Sequence, residues 1–199
     1  MDWEQRYQTG ETPWEKGAPA PPLLEWLERR GPLQGEILVP GCGSGHDVRA
    51  IAAASQTAQV IGLDLAPTAL EQARRFSLAG AETYQLANLL ELPAELIGRF
   101  DWVFEHTCFC TIDPRQRPEY VQAVVRALRP EGSLLAIFFL NPWDPGEAPE
   151  EGGPPFGVGR DELDQLFTTH FELVEELHPS AAYPGREGRE IIRLLARAR

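Results

Sequence analysis

Gly41, Gly43 and Gly45 alternate with other residues in Val39-Pro40-Gly41-Cys42-Gly43-Ser44-Gly45, and Asp64 stands nineteen residues beyond the last of them. Glycine lets a backbone turn sharply and approach a ligand with no Cβ in the way. An acid at the end of the following strand accepts hydrogen bonds from both hydroxyls of a ribose. Together these are the parts of a nucleotide-type binding site. A dinucleotide site reads G-x-G-x-x-G, where the third glycine allows close packing of helix on strand; here that position is His46. A pyrophosphate also needs helix N-terminal amides with little bulk nearby. The G-x-G-x-G spacing with its later acid suits the adenosine and amino-acid ends of S-adenosylmethionine (SAM) better, and it disfavours an NAD-linked oxidoreductase. The bland alternative is a tight turn that binds nothing, and the agreement of turn, strand context and acid argues against it.

Four histidines offer acid–base chemistry. His106 ends a strand-like run and is the best-placed candidate general base; a hydrogen-bonded wall residue is the competing role. His46 begins the first helical pattern after the glycines, where it caps or packs. His170 and His178 read as structural residues of a remote strand. Cys42, Cys108 and Cys110 are too few for a disulfide framework and lack zinc-ligand spacing, so no metal site is expected. They read as small buried hydrophobes, and the cytoplasm is the expected compartment.

Seven runs read as the strands that would position these groups: Glu36–Pro40, Val60–Asp64, Thr83–Ala87, Asp101–His106, Ser133–Leu140, Phe171–His178 and Ile191–Ala196. Helical spacing starts near His46 and recurs over Pro67–Phe76, Pro118–Leu128 and Asp161–Phe167. Pro67 suits a first turn, and Arg129-Pro130-Glu131-Gly132 is a stop signal. Alternating strands and helices predict an α/β fold: a Rossmann-like, seven-stranded, mostly parallel sheet with helices on both faces. Pro179–Arg189 carries no helical pattern, so the last two strands form a C-terminal antiparallel hairpin.

The length predicts one domain over residues 1–199. Two segments stand outside its core. The first is residues 1–22, with Trp3, Tyr7 and Trp14 among prolines and charges. The second is residues 141–159, holding five prolines and five glycines. It leaves the carboxyl end of the fifth strand, the side on which open α/β sheets bind ligands, and reads as a substrate-side loop with Phe156 and Val158 to dock it. The formal charge of −12 disfavours nucleic acid and anionic membrane as partners. No apolar run approaches the roughly 18 residues of a membrane helix. Met1-Asp2-Trp3-Glu4-Gln5-Arg6 has no basic stretch leading into an apolar one, as a signal peptide would. The expected partner is a small-molecule acceptor, and the expected state a monomer or weak oligomer.

Further motifs run the length of the chain. They are Trp3-Glu-x-Arg6-Tyr7-x-x-Gly10-x-Thr12-Pro13-Trp14-Glu15-x-Gly17-x-Pro19-x-Pro21, then Val39–Asp47 and Gly62–Leu70, then Cys108–Cys110 followed by Arg117–Tyr120, and last Gly152–Val158. In type and order they resemble the thiopurine methyltransferase family, which includes the plant-type thiol, thiocyanate and halide methyltransferases. The resemblance implies the seven-stranded SAM-dependent methyltransferase fold, methyl transfer to small soft nucleophiles, and S-adenosylhomocysteine (SAH) as product. It implies cofactor contacts at Trp3 and Trp14, along Gly41, Cys42, Gly43 and Gly45, at Asp64 and Leu65, at Asn88 and Leu89, and at Glu105. It also implies an arginine facing an anionic acceptor, from Arg160 or Arg186; with His106, Arg186 is the catalytic candidate. The chain departs from the family twice. Asn88 replaces a frequent Asp, and still accepts a hydrogen bond from an adenine amino group. Glu105-His106 replaces a frequent Asp-Tyr, which leaves the acceptor preference open.

A sulfonium methyl is already activated, so the protein has only to align a nucleophile and strip its water. Trp3 and Trp14 could lie over the sulfonium through their π-faces, and residues 1–22 with the loop around Phe156 could close as a lid. Stapling the N-terminus to the core is the plainer role for both tryptophans. Thiocyanate, iodide and bisulfide need no strong base, whereas an ordinary thiol, with a pKa of about 8.5, benefits from one. Two other readings stay open: methyl transfer to another small oxygen or nitrogen acceptor, and a SAM-binding protein that does not catalyse.

Overall fold

The computed structural model describes residues 1–198; Arg199, the last of the tail arginines, lies outside them. The strands are β1 (Glu36–Pro40), β2 (Gln59–Asp64), β3 (Ala81–Leu86), β4 (Phe100–His106), β5 (Leu128–Phe139), β6 (Phe171–Leu177) and β7 (Glu190–Arg197). They form one sheet in the order β3-β2-β1-β4-β5-β7-β6. The first five pair in parallel, and β7 is antiparallel to both β5 and β6. The α/β architecture and the terminal hairpin are therefore as the sequence predicts. Among the described residues, no helix is long and apolar enough to cross a membrane.

Period-two alternation sorts the strand side chains between two cores. Ile37 and Val39 join Val60, Phe104 and Ile137 on one face, beneath α2 (Pro21–Arg30) and α3 (His46–Ala54). Leu38 joins Val103, Leu134 and Phe138 on the other, beneath α5 (Arg117–Ala127) and α6 (Arg160–Phe167). The first helix, α1 (Trp3–Thr9), packs on α4 (Pro67–Arg74), where Tyr7 meets Ala66 and Ala69.

The structure corrects several expectations. Residues 1–22 are not wholly outside the core, because Tyr7 and Ala20 are buried. Asp2 caps α1 by accepting from the Gln5 amide at 3.0 Å, and Gly10 ends it in the left-handed region. Helix α2 is absent from the sequence reading because Ala20, its N-cap, offers no side chain to cap it; Pro21 at the first turn and Gly31 at the end were the available signals. Strand β5 begins at Leu128, so the Arg129–Gly132 stop signal lies inside it as an irregularity of its pairing with β4, with Glu131 at φ +68°. His170 and His178 flank β6 without belonging to it.

The chain order β1, β2, β3 runs outward in one direction and β4, β5 in the other. The reversal between β1 and β4 opens a crevice at the strands' carboxyl ends, where open α/β sheets take ligands.

Candidate active site

A cleft of about 860 Å³ occupies that crevice. It lies near the upper end of the range of small-molecule sites. One half is built by loops following β1, β2 and β3. Gly41 and Gly43 have φ of +58° and +53°, and a Cβ on either would collide, with Cys108 in the first case and the Tyr7 hydroxyl in the second. The Cys42 amide reaches back to the Leu63 carbonyl at 2.8 Å. Asp64 is locked by two amides: Gly43 N–H donates to Oδ2 at 2.8 Å and Ala66 N–H to Oδ1 at 2.9 Å. Burial pushes the Asp64 carboxyl up in pKa, while those amides pull it down. Asn88 Oδ1 accepts from the Leu90 amide at 3.0 Å and still has a second lone pair to offer. Leu65 and Leu89 complete this half.

The other half comes from the ends of β4 and β5 and the link before β7: His106, Thr107, Phe139, Tyr183 and Arg186. His106 Nδ1 lies 2.8 Å from Asp47 Oδ2, and the ring stacks on Tyr183 at 6.1 Å between centroids. Thr107, next in the chain, has φ +62°, an uncommon conformation for a β-branched residue. Strain of this kind costs of order 1–3 kcal/mol and gathers at functional sites. The Arg186 guanidinium lies 4.6 Å above Phe139, and Nη1 donates to Glu190 Oε1 at 3.0 Å. Residues 141–159 are folded along this half: Val158 is buried, and Trp143 Nε1 donates to the Pro155 carbonyl at 2.8 Å. Buried Arg117 anchors the loop through the Gly157 carbonyl at 2.9 Å.

The N-terminal segment crosses the mouth as a strap with four attachments. Glu4 accepts from the Thr68 amide and hydroxyl at the start of α4, at 3.0 and 2.6 Å. Glu15 accepts from the Ser44 hydroxyl and approaches His46 Nε2 at 3.0 Å. The Ala20 amide donates to Asp47 Oδ1 at 2.7 Å, and Tyr183 donates to the Ala18 carbonyl at 2.6 Å. Beneath it, Trp14 Nε1 donates to the Tyr7 hydroxyl at 3.0 Å, and Trp3 meets Trp14 edge-on at 5.4 Å. The hydrogen bond from His46, with those from Ser44 and the Gly17 amide, holds the Glu15 carboxyl down at about 2.

Eleven of the thirteen residues singled out by sequence line this cleft: Trp3, Trp14, Gly41, Cys42, Gly43, Asp64, Leu65, Asn88, Leu89, His106 and Arg186. Gly45 and Glu105 do not. Gly45 begins α3, and its missing Cβ makes room for Tyr84. The Glu105 side chain turns into the fold, where it accepts from the Tyr120 hydroxyl at 2.5 Å and from the Cys108 and Phe109 amides at 3.0 and 2.7 Å. It shapes the turn that carries Thr107 and Cys108. Arg160 is also away from the cleft, paired with Glu176 at 3.1 Å. The three cysteines are free, and burial raises all three thiols, Cys110 to about 12, so none is a ready nucleophile. Asp47, Thr107, Phe139 and Tyr183 are among the lining residues that sequence reasoning missed. Asp47 follows the glycine turn by two positions, but its partners come from β4 and the strap, and no local pattern announces them.

The glycine turn lines one half, the acid at the end of β2 supplies an acceptor, and Asn88 with a further acceptor follows β3; this set fits SAM. The thiopurine S-methyltransferase (TPMT) family matches residues 1–192. The probable thiol methyltransferase 2 of Arabidopsis thaliana is 34% identical over 94% of this chain and 81% of its own. The thiocyanate methyltransferase 1 of Brassica oleracea is 31% identical with the same coverages. Among solved structures, a protein studied for conversion of a disulfide bond into a thioacetal group during echinomycin biosynthesis is 27% identical, with a TM-score of 0.70 over 93% of this chain and 83% of that one.

Proposed function

Because the chain belongs to the thiopurine S-methyltransferase family and is a SAM-dependent methyltransferase, we propose that its cleft aligns a small soft nucleophile, a thiol or related sulfur compound, for methylation. The observation that carries this reading is the division of one cleft into two chemically different halves beneath a single strap. SAM, when bound, supplies a methyl group already activated on a sulfonium. The Gly41–Gly43 turn would hold its amino-acid end, Asp64 would accept from its ribose, and Asn88 and Leu89 would border its adenine. Trp3 and Trp14 give the strap aromatic faces over the cleft, suited to a cation. Phe139, Tyr183 and Phe156 strip water from the acceptor, and Arg186 faces an acceptor that carries negative charge.

The strap and residues 141–159 act together as the lid of one catalytic domain. Free thiols and a small-molecule cleft suit an enzyme of the cytoplasm acting as a monomer or weak oligomer. The test is transfer of labelled methyl from SAM to a panel holding bisulfide, an aromatic thiol, a thiopurine, thiocyanate, iodide and a phenol. Labelled sulfur products are expected to dominate. Methylation of the phenol alone, or SAH binding with no transfer to any acceptor, refutes the reading.

A further inference from the structure

We propose that His106 is the base that deprotonates the acceptor, that Asp47 is its positioning residue, and that the acceptor is therefore a neutral thiol rather than an ion such as iodide or thiocyanate. The proposal rests on the methyl-transfer reading above. At 2.8 Å from Nδ1, the Asp47 carboxylate can only accept, so Nδ1 carries the hydrogen and Nε2 keeps its lone pair. Asp47 is not free to swing away, because its other oxygen holds the Ala20 amide at 2.7 Å. Tyr183 lies against the ring face, and its hydroxyl is committed to the Ala18 carbonyl. The ring is thus oriented by α3, by the strap and by the link before β7.

The other nitrogen is held far less firmly. Nε2 lies 3.5 Å from Arg186 Nη1, at the limit of a hydrogen bond, and Arg186 has a better partner in Glu190. A purely structural histidine at this depth would have both nitrogens well bonded. Here one nitrogen is fixed by a carboxylate and the other is left beside a cleft-lining cation. The charged and titratable groups around the ring are Asp47 from α3, Glu190 from β7 at 3.9 Å, and Arg186 and Tyr183 from the preceding link. Glu105, on the same strand, is turned away to Tyr120. An imidazolium formed here faces two carboxylates against one guanidinium, and that guanidinium is placed to face the thiolate.

In the proton step the acceptor's S–H bond breaks, its electron pair stays on sulfur, and the proton bonds to Nε2. After methylation the imidazolium returns that proton to solvent. Iodide and thiocyanate have no proton to give, so an oriented Nε2 does nothing for them.

The test compares His106→Gln and Asp47→Asn with the unmodified enzyme on two acceptors, an alkyl thiol of pKa above 8 and iodide. General-base catalysis is worth about 10²–10⁴-fold. We expect kcat for the thiol to fall about 100-fold in His106→Gln and about tenfold in Asp47→Asn, with KM little changed. Turnover of iodide should fall by only about threefold in either. Equal losses on both acceptors, or no loss on the thiol, overturn the proposal. A second readout is independent of turnover: ¹⁵N NMR of the His106 ring in the SAH complex. The Nδ1–H tautomer is expected, and its loss in Asp47→Asn; an Nε2–H ring in the unmodified enzyme overturns the assignment. If neither acceptor is methylated although SAH binds, the methyl-transfer reading fails, and the tautomer alone then upholds or overturns the Asp47–His106 assignment.

Discussion

Asp64 shows how much one cleft-lining side chain can hold in place. Its carboxylate holds the glycine turn closed through Gly43 and the start of α4 through Ala66. An amide has one acceptor oxygen where a carboxylate has two, so Asp64→Asn leaves one of these N–H groups unmatched. The cost of such an orphan is about 1–3 kcal/mol. Asp64→Asn is expected to lower the unfolding free energy by that amount in a denaturant titration, and to weaken SAH at least tenfold by calorimetry. Unchanged SAH affinity would remove Asp64 from the cofactor site. Glu15 carries a pH prediction. Its folded pKa of about 2 lies below the roughly 4.3 of an unfolded glutamate, so its contribution is complete above that higher value and fades as the pH falls toward 2. The difference in melting temperature between the unmodified protein and Glu15→Gln should therefore be constant from pH 5 to 7 and shrink between pH 4 and 2.5.

At the scale of elements, the strap and α2 do different work. The strap is attached by polar contacts around a small aromatic cluster, and if it acts as a lid these are the contacts that must break while the sheet stays folded. Trp14→Ala removes the ring that joins Tyr7 and Trp3. It should weaken SAH about tenfold while lowering the melting temperature by only a few degrees; unchanged affinity and turnover would reduce the strap to a staple. Helix α2 instead covers the sheet, with Leu23 and Trp26 buried in the core it shares with α3. Trp26→Ala should cost about 3–5 kcal/mol in chemical denaturation, with little direct effect on SAH affinity in the protein that remains folded.

For the molecule as a whole, the net charge of −12 gives a field that draws cations. SAM carries one more positive charge than SAH. Raising ionic strength from about 0.02 to 0.3 M shortens the Debye length from roughly 20 Å to 6 Å. SAM should then bind a few-fold more weakly, while SAH stays within about twofold by calorimetry. Equal salt dependence for the two would show that this field does not reach the cleft.

The sequence alone determined the half of the site whose chemistry is local. Gly41, Gly43 and Asp64 announce themselves because a tight turn and a strand end are short-range features, and hydrophobic alternation places them on a parallel sheet. Trp3 and Trp14 were legible only through the family signature. What the tertiary structure decided is the other half. Asp47 reaches His106 across 59 positions and Tyr183 reaches Ala18 across 165, and no periodicity records such pairings. The same reason explains Glu105, for which the family resemblance implied a cofactor contact and which the fold turned toward Tyr120. Its direction depends on where α5 packs against the sheet, a matter of long-range burial.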